Sequence, residues 1–538
     1  MARKRPVEYF APKHEKAIRI FLLALAALAL LLVLVPYEVW KSVADSLAFD
    51  GECDNCPWKI KCAKIELLIL SAVLILIDIR YRKRGKLFIH LSNKLKKIKR
   101  TRLILISFLI LFALFTQTKI LGWNDQSRFA TVEAIVHNHS LIIDDCSKFL
   151  TGTGDKYLYQ GHFYSDKPPI LSIYASIFYF TLKPFITFSS NMAISVYLLT
   201  LITIGVISSL GLVYFYRILR YLNVDDDWSI ILTLVAGTGT LVLPFSMVFI
   251  NHVPSGALLT ISFYYLLKIK EGMKNAIIAG FLMSLAGSID VTVFLFIPFA
   301  LIIFLKEPFK LKAAFALSTI PSIVIYLLLN LYTSGNIMPP AVNPELWDYP
   351  GSAFSQEDLT GHATHHNLSG LLIYIFHMII GHRGLLSHTP ILLFSVYALI
   401  IIFKRLSKHK KYYLYITLAS TTFILLYVFR SNNYSGGSFG IRWFASIMLL
   451  LCLPLGQIRN EIRDSKIIRR LFLTLVSISI FFSALGTFNP FVDSNETTNT
   501  LLNSIYLVTN STTFFRIRLL LALIVIYYIF CELWKKLK

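Results

Sequence analysis

Charge is scarce in this chain. Only 15% of its 538 residues are Asp, Glu, Lys or Arg, and 56% are hydrophobic, whereas soluble domains carry about 25% charged residues. That excludes a soluble globular protein. Acidic residues are scarcer still, 30 against 53 Lys and Arg, for a net charge of +23. No polar stretch between apolar runs is long enough for a soluble domain. No internal repeat is visible, which disfavours a transporter built from two similar halves. No small-residue cleavage site follows the first apolar run, so that run is expected to be a retained helix with a cytoplasmic N-terminus.

What the chain does have is apolar length. Runs such as 20–35, 103–121, 192–216, 313–331 and 514–530 approach the roughly 20 residues that cross a hydrocarbon core. They predict an all-α polytopic membrane protein of about 12–14 transmembrane helices. The basic residues gather in short segments: MARKR, RYRKRGK, KLKKIKRTR, KRLSKHKK, IRNEIRDSKIIRR and WKKLK. This positive-inside pattern assigns 1–19, 80–102, 404–411, 457–470 and 535–538 to the cytoplasm. It argues for a membrane lipid surface and against a nucleic-acid partner. Segments 37–62, 122–168, 333–386, 430–441 and 490–512 then lie outside. Both termini are cytoplasmic, and the sequons at Asn138, Asn367, Asn433, Asn495 and Asn510 all fall in outer loops. One conflict arises, because Arg217 and Arg220 are cytoplasmic only if the apolar segment 170–182 does not cross. Residues 168–190 are therefore expected to begin and end outside, as a re-entrant or interfacial helix. Residues 275–305 are expected to form two short helices broken at Asp290. Three regions follow: a two-span extension (1–102), a core (103–332) and a C-terminal transmembrane region (333–538).

Chemistry concentrates in loop 122–168. Trp123, Phe129, Phe149, Tyr157, Tyr159, Phe163 and Tyr164 give it too many aromatics for a disordered linker. In WNDQSRF, Asp125 precedes Arg128 by three residues and Glu133 by eight, so the three share a flank if a helix starts here. The plain alternative is a capped interfacial helix with a surface ion pair. In GHFYSDKPP, Asp166 and Lys167 precede two prolines that hold the pair extended at the membrane face. A Lys and an Asp so held could grip a phosphate and orient an acceptor hydroxyl.

The order of these motifs resembles the first outer loop of the GT-C superfamily, multi-span glycosyltransferases such as the protein O-mannosyltransferases and the lipid A aminoarabinose transferases. WNDQSRFA matches the region of the family's essential aspartate, with Gln126 where a second acid is common. YSDKPP matches its Tyr-x-Glu-Lys-Pro. The likeness continues through YRILRYLN (216–223) and INHVPSGALL (250–259), where the family often has Asp-Pro, and covers roughly 103–305. It implies a GT-C-like bundle with a folded catalytic first outer loop and inverting transfer of one sugar from a polyprenyl-phosphate carrier. The acceptor would be a glycolipid, cell-wall polymer or exported protein. The implied catalytic residues are Asp125, as general base or acceptor-orienting carboxylate, with Arg128, Asp166 and Lys167 as its electrostatic partners and phosphate contacts. Glu133, His162, Tyr164, Asn251 and His252 are implied substrate contacts. Two departures stand out. Gln126 removes a carboxylate, so a two-acid metal site is not expected and a divalent cation is left open. Asn251 and His252 replace the acid expected near the polar break.

Further along, NNYSGGSFGIRWF (432–444) brings Gly436, Gly437 and Gly440 close to a ligand, and Arg442 could hold the donor phosphate, unless the segment is only a flexible turn with an interfacial anchor. GHRGLLSHTP (381–390) offers His382, Arg383 and His388 as substrate contacts, the alternative being satisfied buried histidines. His362, His365 and His366 lack an acid or Cys at zinc-site spacing. LWDYPG (346–351) is similar to an oligosaccharyltransferase signature interrupted by Pro350, which chance explains. Cys53, Cys56 and Cys62 are read as a local disulfide, with redox pair and half metal site as alternatives. Cys146, Cys452 and Cys531 are isolated thiols. The rival functions are a transporter or lipid flippase, which would place ionisable residues in mid-span on several helices, and an inactive scaffold. The spans hold few such residues, Asp290 being the clearest.

Overall fold

The computed structural model describes residues 99–146, 153–359, 361–362, 365, 367–405, 409–491, 499–501 and 504. The expected two-span extension, its CxxC loop, His366, Cys531 and the sequons at Asn495 and Asn510 lie outside the described residues. All described residues except Lys99 belong to one compact unit.

That unit is predominantly helical. In chain order its principal elements are α1 (Arg100–Phe115), α2 (Trp123–Asn138), β1 (Lys156–Tyr159), β2 (His162–Ser165), α3 (Ile170–Leu182), α4 (Met192–Tyr221), α5 (Asp226–Thr238), α6 (His252–Leu267), α7 (Met273–Ile289), α8 (Phe309–Ser334), α9 (Leu368–Ile379), α10 (Leu392–Lys404), α11 (Lys410–Arg430) and α12 (Lys466–Gly486). Among the described residues α4, α8, α11 and α12 are long and apolar enough to cross a membrane, with 30, 26, 21 and 21 residues. At 1.5 Å per residue the shortest of them reaches about 30 Å. Helix α8 leaves Leu317 65% and Leu328 58% exposed, a dense apolar flank suited to lipid. It stops where Gly335 adopts the left-handed conformation, φ 70°.

The helices run between two unlike ends. At one end, segments far apart in sequence are joined by ion pairs: Arg100 with Asp226 (3.5 Å), Arg459 with Asp225 (2.6 Å), Lys411 with Glu307 (3.6 Å), and Arg405 with Glu461. These residues come from or border the basic segments, so the charge clusters gather at one face of the bundle. At the other end, the chain after α1 enters the loop that contains α2. Helix α4 then runs antiparallel to α1: Tyr197 donates to the Ala113 carbonyl (2.8 Å) near one end, while Arg220 and Arg100 both meet Asp226 at the other. The 13-residue α3 is about 20 Å long, too short to cross, and it packs on α2. Residues 168–190 therefore begin and end at the loop end of the bundle.

The break at Asp290 is also present. It ends α7 with extended φ −136° and ψ 101°, and a 3-10 turn, Val291–Leu295, follows. Small residues permit close helix contact: a Cβ on Gly256 of α6 would lie 2.5 Å from the Ser446 carbonyl oxygen. The loop end is not wholly helical. Strands β1 and β2 form an antiparallel hairpin from Lys156↔Ser165 to Tyr159↔His162. Gln160 (φ 52°) and Gly161 (φ 81°) turn it, the two positive φ values that a tight hairpin needs. Tyr157 and Tyr164 on this hairpin pack with Leu346, Trp347 and Leu359, so the loop after α8 covers the first loop.

Candidate active site at the loop end

The site begins with α2. Gly122 is extended, and the Asp125 carboxylate reaches back to accept from Leu121 N and Gly122 N (2.9 Å each) and from Gln126 N (3.1 Å). The Leu121 and Gly122 amides lack a helical acceptor at the start of the helix, and an acid three residues in satisfies them, while Gln126 N also donates to the Gly122 carbonyl (3.1 Å). The capping alternative for Asp125 is therefore realised. Burial nevertheless pushes its carboxyl up to about 6, against the pull of those amides. Arg128 pairs not with Asp125 but with Asn124, Nε to Oδ1 at 3.1 Å. It is 1% exposed, and both its Nη atoms are buried without a partner among the described residues. Burial lowers its pKa to about 10, which still leaves it charged at neutral pH.

The hairpin brings the second half of the loop to this helix. Ser127 Oγ donates to the Asp155 carbonyl (2.5 Å) and lies 2.6 Å from Ser165 Oγ, and Ser172 Oγ on α3 donates to the Arg128 carbonyl (3.1 Å). Lys167 Nζ consequently sits between two carboxylates, 2.9 Å from Asp155 Oδ2 and 2.7 Å from Asp166 Oδ2. Asp166 Oδ1 is buried and has no partner among the described residues. Burial raises the Asp166 carboxyl to about 6, with Lys167 opposing.

Three loops distant in sequence close around a cavity of about 860 Å³. Its walls include Trp123, Asn124, Gln126, Asp155, Asp166 and Lys167 from the first, Trp347 and Phe354 from the second, and Asn433, Gly436, Arg442 and Trp443 from the third. A smaller pocket of about 130 Å³ shares Asp166, Lys167 and Ala341 with it and extends to Tyr164, Tyr157, Tyr326 and Asn330 at the end of α8. Asp166 and Lys167 thus stand at the junction of two spaces. Arg442, whose guanidinium carbon is 5.5 Å from the centre of the Phe491 ring, adds a third cation.

Of the residues expected from sequence, Asp166, Lys167, Tyr164 and Arg442 line these spaces, while Asp125 and Arg128 lie in the wall behind them. The others serve different contacts. Glu133 lies beside Cys146, whose thiol burial pushes up to about 12 with Glu133 adding to the rise. His162 is on the exposed side of the hairpin, 2.7 Å from Asp144. Asn251 donates to the Ile289 carbonyl (3.3 Å), and His252 Nδ1 is 2.7 Å from Asp290 Oδ2, which also accepts from Ser446 Oγ (2.5 Å). The acid missing beside the first polar break is thus supplied by the second. Arg383 donates to the carbonyls of Gly436 (3.2 Å) and Ser438, and pins the glycine-rich loop from behind. His382 Nδ1 meets His377 Nδ1 at 2.8 Å, and His388 Nε2 meets Thr500 Oγ1 at 2.7 Å. His362 and His365 each face a separate backbone carbonyl, of Val342 and Val428. Among the described residues no three His, Cys, Asp or Glu converge as metal ligands.

Sequence reasoning missed Asp155 and Trp347. Asp155 immediately precedes β1 in the same loop, and only the hairpin register carries it to Lys167. No protein-family model matches the chain, and no curated protein matches it.

Proposed function

We propose that this protein is an integral membrane glycosyltransferase of GT-C type, with about 12–14 spans, that moves one monosaccharide from a polyprenyl-phosphate carrier to an acceptor hydroxyl on the extracytoplasmic face. The observation that carries the reading is the junction at Asp166 and Lys167. There a carboxylate with an unpartnered oxygen stands beside a lysine in a cavity wall, and two arginines lie close enough for their charges to bear on that carboxylate. Such a set can withdraw a proton from an alcohol and receive a departing phosphate. The four motifs in the order found in that superfamily support the same chemistry.

In this mechanism Asp166 accepts the acceptor hydroxyl proton. The oxygen bonds to the anomeric carbon on the side opposite the phosphate, inverting it. The bond from that carbon to the phosphate oxygen breaks, and the electron pair leaves with the polyprenyl phosphate, held by Lys167 and Arg442, with Arg128 adding its charge from the wall behind. A carboxylate titrating near 6 is ionised at neutral pH yet basic enough to share a proton in the transition state. Asp125, with three amides on its carboxylate, positions the start of α2 and hence Asn124 and Arg128. Lys167 occupies the space between Asp155 and Asp166, supplying there the positive charge that a divalent cation would bring.

The test is transfer from a radiolabelled panel of polyprenyl-phosphate monosaccharides in purified membranes, comparing wild type with Asp166→Asn and Asp125→Asn at matched expression. Transfer by wild type, lost in Asp166→Asn, is expected. Full transfer by Asp166→Asn, or none by wild type with a competent acceptor pool, would overturn the reading.

A further inference from the structure

The walls of the large cavity are richer in aromatic faces and amide edges than phosphate transfer requires. Trp123 is 45% exposed and stands edge-on to Phe354, ring centres 6.2 Å apart. Its position is fixed from below, because a Cβ on Gly154 would lie 2.7 Å from the indole, so only glycine lets the backbone pass there. Across the cavity Trp443 stacks on Tyr427, centres 4.2 Å apart and planes 14° from parallel. Trp347 also forms part of the wall. It is 3% exposed, and its Nε1–H is buried with no partner among the described residues. A buried donor left unpaired costs about 1–3 kcal/mol, and a hydroxyl oxygen of a bound molecule would satisfy it after a small adjustment of the ring. Between the aromatic rings lie the amides of Asn124, Gln126 and Asn433.

We propose that this cavity is an acceptor subsite for a saccharide, so that the sugar is added to a glycan or glycolipid headgroup rather than to a polypeptide hydroxyl. The proposal rests on the transferase reading above and names its acceptor class. A pyranose ring has an apolar C–H face, which suits the electron-rich face of an indole or phenyl ring. Its edge carries hydroxyls that both give and take hydrogen bonds, which suits amides and an indole N–H. The volume of about 860 Å³ is at the upper end of small-molecule sites and leaves room for more than the transferred sugar. A peptide bound by strand addition would instead need a strand edge to pair with. None of the residues of β1 or β2 lines the cavity.

The experiment uses the full chain in lipid nanodiscs and three free disaccharides, maltose, cellobiose and chitobiose, with a Ser/Thr-rich hexapeptide as the contrasting probe. Binding is read by tryptophan fluorescence, and transfer by the labelled donor. At least one disaccharide is expected to bind saturably and to accept the sugar. Trp123→Ala should weaken its binding about tenfold or more, the loss that truncating an aromatic anchor brings, and Trp123→Phe should restore most of it. Binding of none of the disaccharides, equal binding by Trp123→Ala, or transfer to the peptide alone would overturn the proposal. Disaccharide binding without sugar release from any donor would overturn the transferase reading and leave the saccharide site standing, so the two failures are separate.

Discussion

At the basic end of the bundle Arg100, Arg220 and Arg459 meet Asp225 and Asp226 with side chains that are all about two-fifths exposed. At the loop end Arg128 is buried with two unpaired nitrogens, and Asp166 keeps an oxygen without a partner. The first arrangement costs little and stabilises little, since exposed pairs contribute about 0–1 kcal/mol. The second is expensive, because a desolvated charge without full pairing costs several kcal/mol. Similar residue types therefore do opposite work at the two ends. One end pairs its charges at the surface, and the other leaves them buried and incompletely paired.

Arg128→Met should separate the two most sharply. Transfer is expected to fall about 10²–10³-fold, as when a donor to the developing negative charge is removed, while thermal unfolding shows equal or higher stability because an unpaired buried cation is gone. Retained activity with lost stability would make Arg128 a structural residue like those at the basic end.

Asp166→Asn comes next, with a loss of about 10²–10³-fold expected of a general base. Its base form exists only above the raised pKa, so wild-type kcat/KM should fall as pH drops through about 6, and the residual activity of the variant should lack that limb. The stability effect has the opposite direction. A folded pKa above the unfolded value gives stability that is present below about 4 and lost as pH rises through about 6. Asp166→Asn should then gain on wild type at pH 8 and converge with it toward pH 4 in calorimetry.

Arg383→Lys keeps the charge but replaces the rigid planar guanidinium, whose Nη1 donates to two carbonyls of the glycine-rich loop, by a flexible ammonium. KM is expected to rise about tenfold with kcat less affected, the signature of lost substrate binding. Asp225→Asn, at the basic end, should cost at most about 1 kcal/mol, less in high salt, and leave transfer unchanged.

How much of this was legible in sequence follows the range of the interactions. The interruption at Asp290 and the shortness of the helix over 170–182 were readable because both depend on local length and polarity. So was the convergence of the basic segments, which a membrane imposes on every loop alike. The pairing of polar groups was not readable. His252 and Asp290 lie 38 residues apart, and Arg383 and Gly436 lie 53 apart. Residues that read singly as substrate contacts satisfy one another across such distances. Asp125 poses a different difficulty: a carboxylate three residues into a helix looks the same in sequence whether it caps the amides behind it or faces a substrate.

Lys167 between its two carboxylates has a consequence for the order of events. Arg128, Lys167 and Arg442 carry three positive charges, and Asp125, Asp155 and Asp166 offer three negative ones, so the resting site is close to neutral. A lipid phosphodiester adds one negative charge, and the monophosphate left after transfer tends toward two. With no further cation to recruit among these residues, the site answers by holding a proton on Asp125, whose carboxyl burial raises to about 6, while Asp166 stays ionised as the base. Donor binding should then take up protons from weakly buffered solution, detectable with a pH indicator dye. The spent carrier would leave with the proton drawn from the acceptor, and the proton taken up on donor binding would return to solution, so that each turnover restores the resting charge with no net uptake.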